Sequence, residues 1–154
     1  MRSGEPQTPS PDGTLLFSVF TEISIIEHLA RNRLERALPD GLRMSHFGVL
    51  NHMVRLGDGQ TPAELARAFQ VVKGAMTNTL QRLEARGLIS ILPDEKDGRS
   101  KRVKLTPKGQ QAREAAVVIA LGIFDELADA QLSARLKEAA PALRDLRAAL
   151  DDCG

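Results

Sequence analysis

Gly74, Thr77, Asn78 and Gln81 stand three, one and three residues apart in a stretch that reads as a helix, with Lys73 before them and Arg82 beside them. At about 100° per residue these side chains gather on one side, together with Ala85. Amides of the Asn and Gln type can pair with adenine, an Arg fork matches guanine, and a glycine lets the backbone approach a groove. A merely solvated helix face usually carries acids and lysines at steps of four, yet Glu84 is the sole acid between Lys73 and Arg86. The chemistry available here is hydrogen bonding to base edges.

A second cluster lies a few residues on. From Lys96 to Lys104 the cations Lys96, Arg99, Lys101, Arg102 and Lys104 stand against Asp97 alone, with Ser100 among them. Such a concentration suits phosphates and the electronegative minor groove. A basic run by itself is commonly a solvated edge, and lysines on edge strands also discourage aggregation. Its position directly after the polar helix face gives it meaning.

The elements that hold these side chains are legible. Thr61-Pro62-Ala63-Glu64 is a capping box that opens a short helix, and Leu65 and Phe69 give that helix one apolar side. Gln70-Val71-Val72 breaks the pattern before the helix from about Lys73 to Arg86, whose Met76, Leu80, Leu83 and the following Gly87 face the core, with Thr79 at the edge. Leu88–Leu92 and Arg102–Leu105 alternate with period two, and the intervening Pro93–Ser100 is rich in turn residues, so a two-stranded wing is expected. Before this block, Leu16, Phe20, Ile23, Ile26, Leu29 and Leu34 mark a long amphipathic helix over 14–38, closed by Pro39-Asp40-Gly41. Another begins at Ser45, turns Phe47, Leu50 and Val54 inward, and stops at Gly57-Asp58-Gly59. After the wing, Thr106 and Pro107 start a helix to about Leu127 whose segment Ala115–Leu121 is apolar around much of its circumference. The last helix, about Ala130 to Leu150, repeats Leu136, Leu143 and Leu150 at steps of seven, and Pro141 should bend it. The expected fold is mainly α with a small two-stranded β-wing: a winged helix-turn-helix core over 45–106, N- and C-terminal dimerisation helices over 14–38 and 107–151, and a disordered tail over 1–13.

In its order of parts the chain resembles the MarR family of bacterial transcriptional regulators. The resemblance rests on Leu83-Glu84-Ala85-Arg86-Gly87-Leu88-Ile89, then Asp97-Gly98-Arg99-Ser100-Lys101, then Leu105-Thr106-Pro107-Lys108-Gly109. It is good from about Ser45 to Gly109 and weaker in the flanking helices. It implies a homodimer of winged helix-turn-helix subunits, with Arg99 in the minor groove and Asp97 holding it. Two recognition helices about one helical turn apart, roughly 34 Å, would read an inverted repeat in duplex DNA. Repression is the default expectation, because a protein seated there obstructs RNA polymerase.

Composition agrees. The 154 residues suit one domain, and 21 Lys and Arg against 20 Asp and Glu give a net charge of +1, so positive charge must act locally. With no Trp, no Tyr and 5 Phe, base stacking on single strands is disfavoured. Residues 1–13 lack the apolar core of a secretory signal, Ala115–Phe124 is about half a bilayer span, and the single Cys153 cannot form an internal disulfide, so a cytoplasmic protein with no membrane contact is expected. His28, His46 and His52 show no metal-ligand spacing, no cofactor motif is present, and no catalytic triad or phosphate loop can be found, so neither metal nor enzyme chemistry is expected.

The family resemblance further implies an effector cleft where dimerisation helices meet the winged helix, taking small aromatic acids or phenols. His28, Arg43, His46 and Phe47 are the candidates here: Arg43 could pair with a carboxylate and His46 donate to it. The plainer reading leaves Arg43 a surface cation and His46 a residue of a helix's first turn. The competing function is a winged-helix protein-interaction module, in which the Thr77, Asn78, Gln81 face meets protein; the basic wing argues against it.

Overall fold

The computed structural model describes residues 10–95 and 97–152. It divides into two compact units, Met1–Ala116 and Val117–Gly154.

The first unit opens with α1 (Pro11–Ala37), a helix that starts earlier than expected. Ser10 caps it by accepting from the Gly13 amide, Pro11 occupies a first-turn position whose missing N–H costs nothing, and Asp12 meets the positive end of the helix. Residues 11–13, expected to be disordered, are therefore helical; positions 1–9 lie outside the described residues. Within this unit α1 buries Leu34, while Phe17 is 75% and Ile26 61% exposed. Its length and a mean hydropathy of 1.3 over an 18-residue window would let it cross a bilayer by composition alone. Glu22, Glu27 and His28 lie among its apolar residues, and Glu27 pairs with Arg31 on the helix surface.

A tight turn at Pro39–Gly41, with Asp40 left-handed at φ 56°, leads to α2 (Met44–Leu56). Then come α3 (Pro62–Ala68), α4 (Lys73–Ala85), β1 (Ile89–Pro93), β2 (Lys101–Leu105) and the first half of α5 (Pro107–Leu127). The core is a single cluster of Leu38, Leu42, Val49, Leu50, Met53, Leu65, Met76, Leu80, Leu83, Leu88, Ile89 and Val103, closed by Ala66 and Ala116. Each fully buried Leu, Val or Ile contributes about 1.5–3 kcal/mol by leaving water, which holds α3 and α4 on α2.

β1 and β2 pair antiparallel with Ile89 opposite Leu105 and Pro93 opposite Lys101. Val103 turns its own amide and carbonyl away from β1, to Gln60 O at 3.0 Å and Gly59 N at 2.8 Å, so the connection before α3 lies along the far edge of β2. Nothing in its sequence announced that edge.

The second unit holds the rest of α5 and α6 (Ala130–Asp152). α6 runs through Pro141, and its Leu132, Leu136, Leu143 and Leu150 are exposed.

Candidate nucleic-acid interface

The capping box forms as read: Thr61 Oγ1 accepts from Glu64 N at 3.1 Å, and Glu64 Oε2 accepts from Thr61 N at 2.7 Å. That amide, then the Thr61 hydroxyl, and the nearby Arg102 hold the Glu64 carboxyl below its ordinary value. The turn to α4 ends α3 with Gln70 left-handed at φ 51°, its amide on Arg67 O and the next on Ala66 O, both at 3.0 Å. This is a Schellman closure in which Gln70 takes the position glycine usually fills.

α4 then buries Met76, Leu80 and Leu83 and leaves Lys73, Gly74, Thr77, Asn78, Gln81 and Arg82 exposed. No side chain caps its N-terminus, so first-turn amides and the positive end of the helix dipole remain open to an anion. Glu84, the one acid, accepts from the Ile91 amide at 3.0 Å and so anchors the wing to the helix. Gly87 departs from expectation: it is exposed, left-handed at φ 68°, and closes α4 with its amide on Glu84 O at 2.8 Å and that of Leu88 on Leu83 O at 3.0 Å. Its angular position matches the core stripe, but the chain has already left the helix.

At the wing tip, Asp97 Oδ1 accepts from the Arg99 amide at 3.1 Å and Asp97 O from the Ser100 amide at 2.8 Å, which leaves the Arg99 side chain exposed. Asp97 thus holds the backbone of Arg99. A groove of about 320 Å³ joins Lys73 and Thr77 of α4 to Arg99, Ser100 and Lys101 of the wing, with Thr61, Pro62 and Ala63 as its floor. A second of about 290 Å³ continues along Gln81, Thr77 and Lys101. The structure therefore brings Lys73, Thr77, Gln81, Arg99, Ser100 and Lys101 to one surface; Gly74, Asn78 and Arg82 stand on α4 outside these grooves, and Lys96 lies outside the described residues.

Arg102 requires a correction. Expected as an outward cation of the wing, it donates from Nε to Asp94 Oδ2 at 2.6 Å and from Nη1 to Gly59 O at 3.1 Å, with Glu64 Oε2 3.7 Å away. The hydrogen bond and charge of Asp94, and then Glu64, raise its pKa further. It clamps the wing to the start of α3, because three acceptors surround it. Lys104 is likewise drawn to Asp58 at 3.5 Å, so among the described residues of the wing the outward charge rests with Arg99 and Lys101.

Of the proposed effector residues, Arg43, His46 and Phe47 stand at the start of α2 and His28 on α1. His28 is exposed on α1, 3.0 Å from Asn32 Nδ2; Arg43 is exposed at the N-cap of α2; Phe47 is half-buried against the core. The shallow groove beside Arg43 is lined by Asn32, Glu35, Arg36, Gly41 and Leu42, and not by His28, His46 or Phe47. His46 is 3% exposed, and its Nδ1 accepts from the Arg43 amide at 3.1 Å. Burial first, then the charges of Arg86, Arg82 and Arg43, hold the imidazole below its ordinary 6.5 against the pull of Glu35. That nitrogen is a neutral acceptor and cannot donate to a ligand. Among the described residues, no group of three His, Cys, Asp or Glu could hold a metal. Cys153 lies outside them.

Residues 40–100 match the sequence model of the MarR family. The fold is similar to that of the transcriptional regulator BldR from Sulfolobus solfataricus, at 22% identity over 90% of this chain and 99% of that one, with a TM-score of 0.70. It is similar to ligand-free MarR from E. coli at 26% identity, 80% and 94% coverage and a TM-score of 0.68. The organohalide-sensing transcriptional regulator RdhR in its 2,4-dichlorophenol-bound form shares 22% identity, with 94% and 89% coverage and a TM-score of 0.68. The winged helix-turn-helix of this chain is thus similar to that of the MarR family, and the fold matches that of MarR itself over 80% of the chain.

Proposed function

We propose that the protein is a sequence-specific duplex-DNA-binding regulator of transcription, acting as a homodimer and repressing until a small effector releases it. One observation carries the reading: the polar face of α4, with Thr77 and Gln81 outward and its one acid, Glu84, engaged by the Ile91 amide, shares a continuous surface with Arg99 and Lys101 of the wing. Groups that pair with base edges sit beside groups that bind phosphate, the division of labour that duplex recognition uses. The apolar side of α1, exposed in the single chain, supports burial against a second copy, and a two-fold pair of α4 helices fits an inverted-repeat operator. Recognition of dichlorophenol by a structural relative supports a small organic effector.

Fluorescence anisotropy with DNA from upstream of the protein's own coding region tests this. A shift that is salt-sensitive and survives competitor DNA is expected. Binding no tighter than to random sequence would favour an interaction module that meets another protein through the same face.

A further inference from the structure

The Gln70-Val71-Val72 step between α3 and α4 carries the most exposed large apolar side chain among the described residues: Val72 is 76% exposed. Val72 is the N-cap of α4, extended at φ −66° and ψ 147°, and its carbonyl accepts from Ala75 N at 3.0 Å and Met76 N at 3.2 Å. Valine is among the poorest residues for that position, because it has no oxygen to accept a first-turn amide. The other starts show what such an oxygen does: Ser10, Thr61, Thr106 and Asp129 accept from Gly13, Glu64, Gly109 and Leu132 at the beginnings of α1, α3, α5 and α6. Gly74, in the first turn of α4, is a second departure. A Cβ there would meet nothing within 4 Å and its φ is not left-handed, so the fold does not call for glycine, which is less stable inside a helix than alanine. Ala75 beside it is exposed. The tip of α4 is thus apolar and shallow, although helix stability favours neither Val72 nor Gly74. Lys73, between them, lines the groove that runs to Arg99 and Lys101, so the tip continues the surface proposed for duplex DNA.

We propose that Val72 reads the 5-methyl group of a thymine in the major groove of each half-site, so that one position of the operator is chosen by apolar contact. The inference rests on the reading of α4 as the DNA-contacting helix and adds what its tip selects. The N-terminal residues of a helix docked in this way are the ones that reach base edges. Among the four bases only thymine offers an apolar group in that groove, and small aliphatic side chains are its match. A serine at the cap would turn its hydroxyl onto the amides of its own helix, whereas the isopropyl group of Val72 stays free to meet a methyl. Each methyl so removed from water is worth about a fourfold change in affinity. Gly74 fits the same arrangement, since a side chain there would hold the base pair away from the backbone. Asn78 and Gln81, farther along α4 and exposed, supply the hydrogen-bonding part, so methyl and amide contacts select different base pairs.

Anisotropy with the full chain compares duplexes from upstream of its coding region made with thymidine or with deoxyuridine, whose base lacks only the methyl. The wild type should bind the uracil duplex at least about fourfold more weakly, and single replacements should trace that loss to one thymine in each half-site. At the same position 5-methylcytosine should bind about fourfold more tightly than cytosine. Val72→Ser should bind thymine and uracil alike at that position. Its thermal midpoint should equal or exceed that of the wild type, because the serine caps α4, which separates lost discrimination from lost folding. Val72→Ile should keep the preference. Equal binding of the thymine and uracil duplexes by the wild type, or an undiminished thymine preference at that position in Val72→Ser, overturns the inference and leaves the regulator standing. A wild type that binds upstream DNA no better than random sequence overturns the functional reading and this inference with it.

Discussion

Single residues divide here by whether their charge is spent inside the fold. Arg99 keeps its guanidinium exposed because Asp97 takes only its amide. Arg99→Ala should weaken DNA binding by about 1–3 kcal/mol, measured by anisotropy at constant salt, and an unchanged Kd would remove the wing tip from the interface. Gln81→Ala should instead flatten the ranking of operator variants, since an amide that reads a base edge contributes to discrimination. His46 makes a prediction about pH. Its imidazole titrates below 6.5 in the folded chain and at about that value when unfolded, so the unfolded form binds the proton more readily. The stability it supplies is therefore complete above 6.5 and is lost as pH falls through the lower folded value. Urea unfolding of His46→Gln, whose side-chain oxygen can still accept from Arg43, should show a shallower decline on acidification than the wild type.

Elements were read well where local physics decides them and poorly where distant contacts do. The capping box at Thr61, the apolar stripe of α4 and the period-two strands are properties of neighbours in sequence, and each appears with boundaries shifted by a residue or so. The early start of α1 was missed because Pro11 reads as a loop residue until Ser10 is recognised as its cap. Gly59 and Gln60 against β2, and Arg102 on Asp94, Gly59 and Glu64, could not be read, since alternation tells which way a side chain points and not what waits there. The four effector candidates were drawn from the family's geometry; Arg43, His46 and Phe47 share the start of α2, and His28 lies on α1. The junction of α4 with α5 offers a test of packing. A Cβ at Gly109 would collide with the Leu88 carbonyl oxygen, and Gly109 is buried with its amide on Thr106 Oγ1 at 3.0 Å. Gly109→Ala should cost about 3 kcal/mol or more in chemical denaturation, because backbone must move to admit it; a loss under about 1 kcal/mol would show that the contact is loose.

For the whole molecule, apolar surface and charge are both unevenly placed. Phe17 and Ile26 on α1 are exposed, and in the proposed homodimer a second copy covers them. Light scattering should give twice the 16.8 kDa of one chain, and a Phe17→Glu, Ile26→Glu double variant should give the single mass and lose cooperative DNA binding. The net charge of +1 conceals a local positive surface at the wing and α4, so DNA affinity should still fall steeply with salt. The same unevenness makes Arg102 deceptive. Deleting it would strip neutralisation from Asp94 of the wing and Glu64 of α3, leaving two carboxylates that repel phosphates where a balanced cluster stood. A loss-of-binding screen would score it alongside true contact residues, and only a melting curve taken on the same variant would reveal a brace mistaken for a finger.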